Sequence, residues 1–241
     1  MKGGRGMSLY YDLHIHTCLS PCADDDMTPP NLVNMAVLAG LEVIAVTDHN
    51  STRNAGAVME AARGTPLVVV PGMEVSTAEE IHVICLFPGL EAAREAGREI
   101  ESLLPPVPNR PNIFGSQLVM DAGERVLEEA PTLLLNAAAL SIDRMPDWAA
   151  SYGGICYPAH IDRPSGGILA VLGGLPEVPV FRRLEVARPR EFFADPAHAP
   201  LRESHEIIVS SDAHRLRDIA DARRRLEPAD WPELSPLFAG R

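Results

Sequence analysis

The sequence predicts an α/β domain whose strands close into a barrel, and three observations lead there. Apolar, β-branched runs alternate with helix-like segments, seven such runs are present, and 241 residues is an ordinary length for one domain of this kind. The runs cover residues 9–16, 43–47, 67–73, 81–87, 155–158, 181–186 and 207–210. Strands alternating with helices imply parallel pairing, and seven in this length imply barrel-like closure.

Taken in order, residues 1–8 open with MKGGRGM, which is glycine-rich and lacks an apolar stretch. This segment reads as a disordered lead-in, not a secretory signal. The barrel is expected over 9–225. Thr28 caps a first helix, with Pro29 in its first turn and Gly40 closing it. A second helix is expected over 52–63, ending at Gly64. Residues 91–152 break the rhythm with a charged helix, the proline-rich PPVPNRPNIFG and further helical pieces without a clear strand. They read as a cap-like insertion at one end of the barrel, whose last helix starts at Ser141 and stops at Gly153–Gly154. Asn109, Arg110, Asn112 and Gln117 lie in or just after the proline-stiffened loop, and Arg110 is the candidate contact to the remote part of a substrate. The tail, 226–241, is expected to pack on the barrel through Trp231, Leu234 and Phe238.

Composition removes several chemistries. Thirty-three acidic residues against 21 basic ones leave a net charge of −12. That balance argues against long nucleic acid as a partner. The only lysine is Lys2, so Schiff-base chemistry, a P-loop lysine and a Ser–Lys dyad are excluded. No run approaches the ~20 apolar residues of a membrane span. With no secretory signal, a reduced cytoplasmic protein is expected. Cys85 and Cys156 sit in apolar runs and read as buried hydrophobes. Cys18 and Cys22 form a lone C-x3-C without a second half-site, and are assigned no metal or disulfide role.

The chemistry is signalled by histidine. In YYDLHIHTCLS, strand alternation puts Asp12, His14 and His16 on one face. Of eight histidines, His14, His16, His49, His82, His160 and His214 stand within or at the carboxyl end of an expected strand. In a parallel α/β barrel those ends converge on one mouth. Asp24, Asp48, Glu74 and Asp212 accompany them. Imidazoles and carboxylates with almost no thiolate suit zinc, manganese or iron. His198 and His205 lie in DPAHAPLRESHEI and read as surface residues.

The segments DLHIHT, VTDHN, PGMEVS followed by IHVICL, PAHIDRP and SSDAH stand in this order between Asp12 and His214. In this the chain resembles the PHP (polymerase and histidinol phosphatase) domain family. The resemblance implies a distorted seven-stranded (β/α) barrel with a cluster of two to three divalent metal ions (zinc, manganese or iron) at its C-terminal mouth. It implies a first ion on His14, His16, Glu74 and Asp212, a second on Asp24, His49 and His214, and a third on His82 and His160, with Glu74 bridging the first and third. Asp24 is taken from the run CADDDMTP by its distance to the helix start. Asp48 is expected to accept a hydrogen bond and fix a ring tautomer. Arg163 is read either as a bidentate phosphate clamp or as a surface salt bridge, and Asn50 and Arg215 carry the same two readings.

The function so implied is a metal-dependent phosphoesterase using a metal-bridging hydroxide. Its substrate is expected to be small and phosphorylated: a nucleotide, a short oligonucleotide end, or a sugar or amino-alcohol phosphate such as histidinol phosphate. Two alternatives stand beside it, an amidohydrolase-like C–N or C–O hydrolase and a non-catalytic regulatory module of the same family. No membrane partner is expected, and the residues leave the oligomeric state open.

Overall fold

A computed structural model describes residues 8–239. The expected lead-in falls on residues 1–7 and so lies outside the described residues. Each of the seven expected runs overlaps a strand, and three further strands appear. In chain order they are β1 (Leu9–Ile15), β2 (Val43–Val46), β3 (Val68–Ser76), β4 (His82–Leu86), β5 (Leu118–Met120), β6 (Val126–Glu129), β7 (Ile155–Pro158), β8 (Arg183–Glu185), β9 (Glu206–Ile208) and β10 (Arg225–Leu226). The main sheet has the order β10-β1-β2-β3-β4-β7, while β5–β6 and β8–β9 form separate pairs.

The expectation of a closed parallel sheet is corrected here. β1, β2 and β3 are parallel, but β4 is antiparallel to both β3 and β7, and β10 is antiparallel to β1. The fold is a mixed α/β domain whose sheet curls into a half-barrel. The cause is the short link between β3 and β4. A parallel return needs a crossover of about a dozen residues or more, and residues 77–81 can only turn the chain back. The turn is closed by Thr77 N–H to the Ile81 carbonyl at 2.9 Å and Ile81 N–H to Thr77 Oγ1 at 3.2 Å, with Glu80 left-handed at φ +62°. Ser76 therefore pairs with His82. His82 reaches the mouth from the start of its strand, where His160 reaches it from the end of β7.

α1 (Pro29–Leu38) begins where Thr28 Oγ1 accepts Asn31 N–H at 3.4 Å. α2 spans Ala55–Ala61, shorter than the sequence suggests. α3 (Leu90–Ser102) buries Ala93, Ala96 and Ile100 on the core, and Gly97 lets it close on Thr52, whose Oγ1 would lie 2.4 Å from a Cβ there. After α4 (Pro111–Phe114) comes the β5–β6 hairpin, in a segment expected to hold no strand. Its register shifts at Met120 and β6 is exposed along its length, so it carries no alternating apolar signal. α5 (Met145–Ser151) completes the segment before β7. On the other side of the sheet, Trp231, Leu234 and Phe238 are buried against Leu9, Tyr11 and Val43, with the Arg183 guanidinium 4.0 Å over the Trp231 ring. Among the described residues no helix is long and apolar enough to cross a membrane.

Candidate metal centre

Two buried aspartates bring the site together. Asp12 on β1 accepts Ser211 N–H at 3.0 Å and Ala220 N–H at 3.2 Å, and His16 N–H donates to the Ala213 carbonyl at 3.0 Å. These bonds hold the 211–220 segment beside β1 and deliver Asp212 and His214 to the mouth. Asp48, just after β2, accepts Thr17 N–H, Thr17 Oγ1–H and Ser20 Oγ–H, each at 2.7 Å. Burial pushes both carboxyls above the usual range, and these hydrogen bonds oppose it.

Glu74 stands at the centre. Its Oε1 lies 2.9 Å from His160 Nε2, 3.0 Å from His82 Nδ1 and 3.5 Å from His14 Nε2, and its Oε2 lies 3.1 Å from His49 Nδ1 and 3.4 Å from His16 Nε2. Asp212 Oδ1 is 3.1 Å from Nε2 of both His14 and His16. His14, His16 and Glu74 are almost wholly buried. His160 and Asp212 take left-handed backbone conformations, φ +26° and +51°, which non-glycine residues hold only where the surroundings impose them.

The hydrogen bonds around these rings fix their tautomers. His14 Nδ1–H donates to Glu185 Oε2 at 2.9 Å. Ser20 gives its hydroxyl proton to Asp48, so its oxygen accepts His16 Nδ1–H at 3.0 Å. With the rings neutral, both Nε2 atoms point bare lone pairs at each other across 3.1 Å among carboxylate oxygens. A positive charge belongs between them, a proton on His14 in the metal-free protein or a metal ion in its place. One ligand atom from each of His16, His49 and His214, of His14, His16 and Glu74, and of His49, Glu74 and His82 already lies within 4.8 Å of the others. The residues therefore fit divalent metal ions.

Titration reflects the same crowding in the metal-free protein. Burial, then the neighbouring His214, holds His16 down to about 4, and burial holds His49 well below its ordinary value. Burial acts against His14 too, but Glu185, Asp212 and Glu74 outweigh it and raise it well above 6.5. Burial likewise opposes ionisation of Glu74, yet His82, His14 and His49 hold it well below the carboxylate range.

Of the nine ligands implied by the resemblance, eight converge here and Asp24 does not. Its side chain is 52% exposed and faces Arg215 Nε at 3.5 Å. A cavity of about 400 Å³ opens over the centre, walled in part by Cys22, Leu135, Arg163 and Pro164. Arg163 is 44% exposed and pairs through Nη1 with Asp212 Oδ2. The reading of Asn50 as a substrate contact is corrected. It is buried, donating to the Leu134 and Asn136 carbonyls at 2.7 and 2.9 Å and accepting Ser76 N–H at 3.0 Å, so no polar atom is left for a ligand. Gln117 is consumed similarly by Ala130, Thr132 and Leu134, while Arg110 is exposed at the start of α4. Sequence reasoning missed Glu185, whose Oε2 also accepts His160 N–H at 3.0 Å, and it missed Cys22 at the mouth. A carboxylate between Leu184 and Val186, at the end of a short strand, was the one available signal for Glu185.

A family-wide profile of the PHP domain matches residues 12–146. The 5'-3' exoribonuclease Rnm of Salmonella typhimurium is 36% identical over 97 residues, covering 38% of this chain and 31% of that protein. The match thus spans about a third of that relative's length. Among solved structures, the lesion-specific endonuclease PfuEndoQ from Pyrococcus furiosus superposes with a TM-score of 0.59 at 18% identity, over 87% of this chain and 49% of that one. An Endonuclease Q complex with a 27-mer duplex carrying an abasic lesion gives 0.57 at 18%, over 87% and 50%. These findings overturn the exclusion of long nucleic acid drawn from net charge. The relative is named for acting on RNA, and a protein of the same fold is described in complex with a 27-mer duplex substrate with an abasic lesion at the active site. Net charge is a property of the whole surface, whereas recognition is local, and ions and arginines at a mouth reverse its sign there.

Proposed function

The chain belongs to the PHP domain family, and on that premise we propose that it is a metal-dependent phosphoesterase acting on the phosphate ester of a nucleotide or a nucleic-acid end. One observation carries the reading: Nε2 of His14 and Nε2 of His16 converge to 3.1 Å beside Glu74 and Asp212, where a metal ion would replace the proton that His14 otherwise holds. Two to three divalent ions of the zinc, manganese or iron type would suit this donor set, and His14, His16, His49, Glu74, His82, His160, Asp212 and His214 would hold them, with the two oxygens of Glu74 free to serve more than one ion. When bound, such ions supply Lewis acidity and a hydroxide at neutral pH.

The protein's own groups do the rest. Ser20, oriented by Asp48, and Glu185 keep both Nε2 atoms turned inward. Arg163, held at the mouth by Asp212, reaches a non-bridging oxygen of an entering phosphate. Leu135 and Pro164 give the cavity apolar lining. Arg110, exposed on the inserted segment, contacts the part of the substrate remote from the bond that breaks. The nucleotide reading draws on the exoribonuclease relative, 36% identical over 97 residues. All four cysteines are free, which suits the cytoplasmic setting of this reading.

The test is a release assay on metal-reconstituted protein, with nucleotides, histidinol phosphate, end-labelled RNA and a panel of amides. Metal-dependent cleavage of nucleotide or RNA esters, abolished by chelation and by His14→Ala, is expected. Turnover of amides alone refutes the reading.

A further inference from the structure

We propose that Cys22 supplies a thiolate ligand to the ion held by His49 and His214, in the place the resemblance gives to Asp24, and that it biases this position toward thiophilic ions such as zinc or iron. The proposal rests on the metal-centre reading above and deepens it. The first support is where the loop sends its side chains. Asp24 N–H donates to the His214 carbonyl at 2.9 Å, so its backbone sits beside the centre, yet its carboxylate turns out to Arg215 and water. Two residues earlier, Cys22 lines the same cavity wall as His49 and His214.

The backbone that presents Cys22 is pinned on both sides. Ser20 N–H donates to the Thr17 carbonyl at 3.0 Å, Ala23 N–H to the Ser20 carbonyl at 2.9 Å and Cys18 N–H to the Met27 carbonyl at 3.0 Å. Gly115, at φ +101°, presses so closely on the loop that a Cβ there would stand 1.9 Å from the Pro21 carbonyl oxygen. Cys18 takes no part, being buried with its thiol directed at the Leu118 carbonyl at 3.7 Å.

A second, independent observation lies across the cavity. His49 is 95% buried by its 5% exposure, and its Nδ1 makes no hydrogen bond, the approach of Glu74 at 3.1 Å being out of hydrogen-bonding alignment. An imidazole nitrogen kept dry and unpartnered, in a residue that lines the same cavity as a thiol, is half of a mixed nitrogen–sulfur site. Cys22 is exposed and its Sγ stands outside the tightest groups of ligand atoms, so coordination requires its side chain to turn inward. Binding releases the thiol proton to solvent, because the ligand to a divalent ion is the thiolate. A thiolate with imidazoles is a donor set for zinc or iron, whereas manganese is better served by carboxylate and water.

The experiment is a cobalt(II) titration of metal-depleted protein, reading the near-ultraviolet sulfur-to-cobalt charge-transfer band together with cobalt bound per chain. The band is expected in the wild type, retained in Cys18→Ser and Asp24→Asn, and lost in Cys22→Ser and Cys22→Ala. Alanine guards against a hydroxyl taking over as ligand. Zinc affinity measured against manganese should fall at least about tenfold in Cys22→Ala, the lower end of what even outer-shell losses produce. Cobalt uptake without the band, or a band that survives Cys22→Ala, overturns the thiolate and leaves the metal centre standing. No cobalt uptake by the wild type overturns both.

Discussion

Glu185→Ala removes one acceptor shared by two residues of the centre. Glu185 Oε2 takes His14 Nδ1–H at 2.9 Å and His160 N–H at 3.0 Å, and all three groups are buried. Each orphaned buried donor costs about 1–3 kcal/mol, so the metal-free variant should lose about 2–6 kcal/mol of stability. A second effect follows from the ring. Without Glu185, nothing obliges His14 to carry its proton on Nδ1, and affinity for metal should drop about 10–100-fold. Glu185→Gln separates the two effects. An amide oxygen in the place of Oε2 accepts both N–H groups, which restores most of the stability, but the missing charge leaves His14 a weaker ligand. Denaturant unfolding of metal-free protein measures the first quantity, and competition against a chromophoric chelator measures the second. Wild-type metal affinity in Glu185→Ala would refute the argument, and a loss of stability alone would reduce Glu185 to a packing residue.

Glu74→Gln should lower metal content and abolish turnover together, because one carboxylate faces five imidazoles; full metal stoichiometry with near-normal rates would show that it does not bridge. His198→Ala and His205→Ala should leave phosphate release unchanged, although the first gives up stacking on Phe192 at 3.9 Å and about 1 kcal/mol of stability. A strong loss of activity in either would place another histidine at the mouth. In metal-free protein His16 and His49 have depressed pKa values, so their contribution is full above about pH 6.5 and is lost as pH falls, for His16 through about 4. His14 and His82 are raised, so theirs is full below about 6.5 and is lost as pH rises. Thermal melts should therefore show a stability maximum near pH 6.5 that moves upward when metal is added, since the ligands must shed their protons; a monotonic rise without metal would contradict the ring environments described here.

Much of this molecule is written locally in its chain. The strand addresses follow from β-branched apolar runs, α1 starts at the Thr28 cap with Pro29 behind it, and the histidines stand at strand ends because alternation and turn residues put them there. These signals need only neighbours within a few positions. The direction of β4 needed more, since a histidine at the start of an antiparallel strand and one at the end of a parallel strand look alike until the 77–81 turn is seen to reverse the chain. Asn50 beside His49 had the look of a substrate contact, and only its three buried partners made it a clamp. The choice between Asp24 and Cys22 turned on which way a pinned loop sends its side chains. Glu185 was invisible for the plainest reason. It meets His14 across 171 positions of sequence, as Asp12 meets Ser211 across 199, and such partners are chosen by packing once the chain has closed on itself, when burial makes every unpaired polar atom costly.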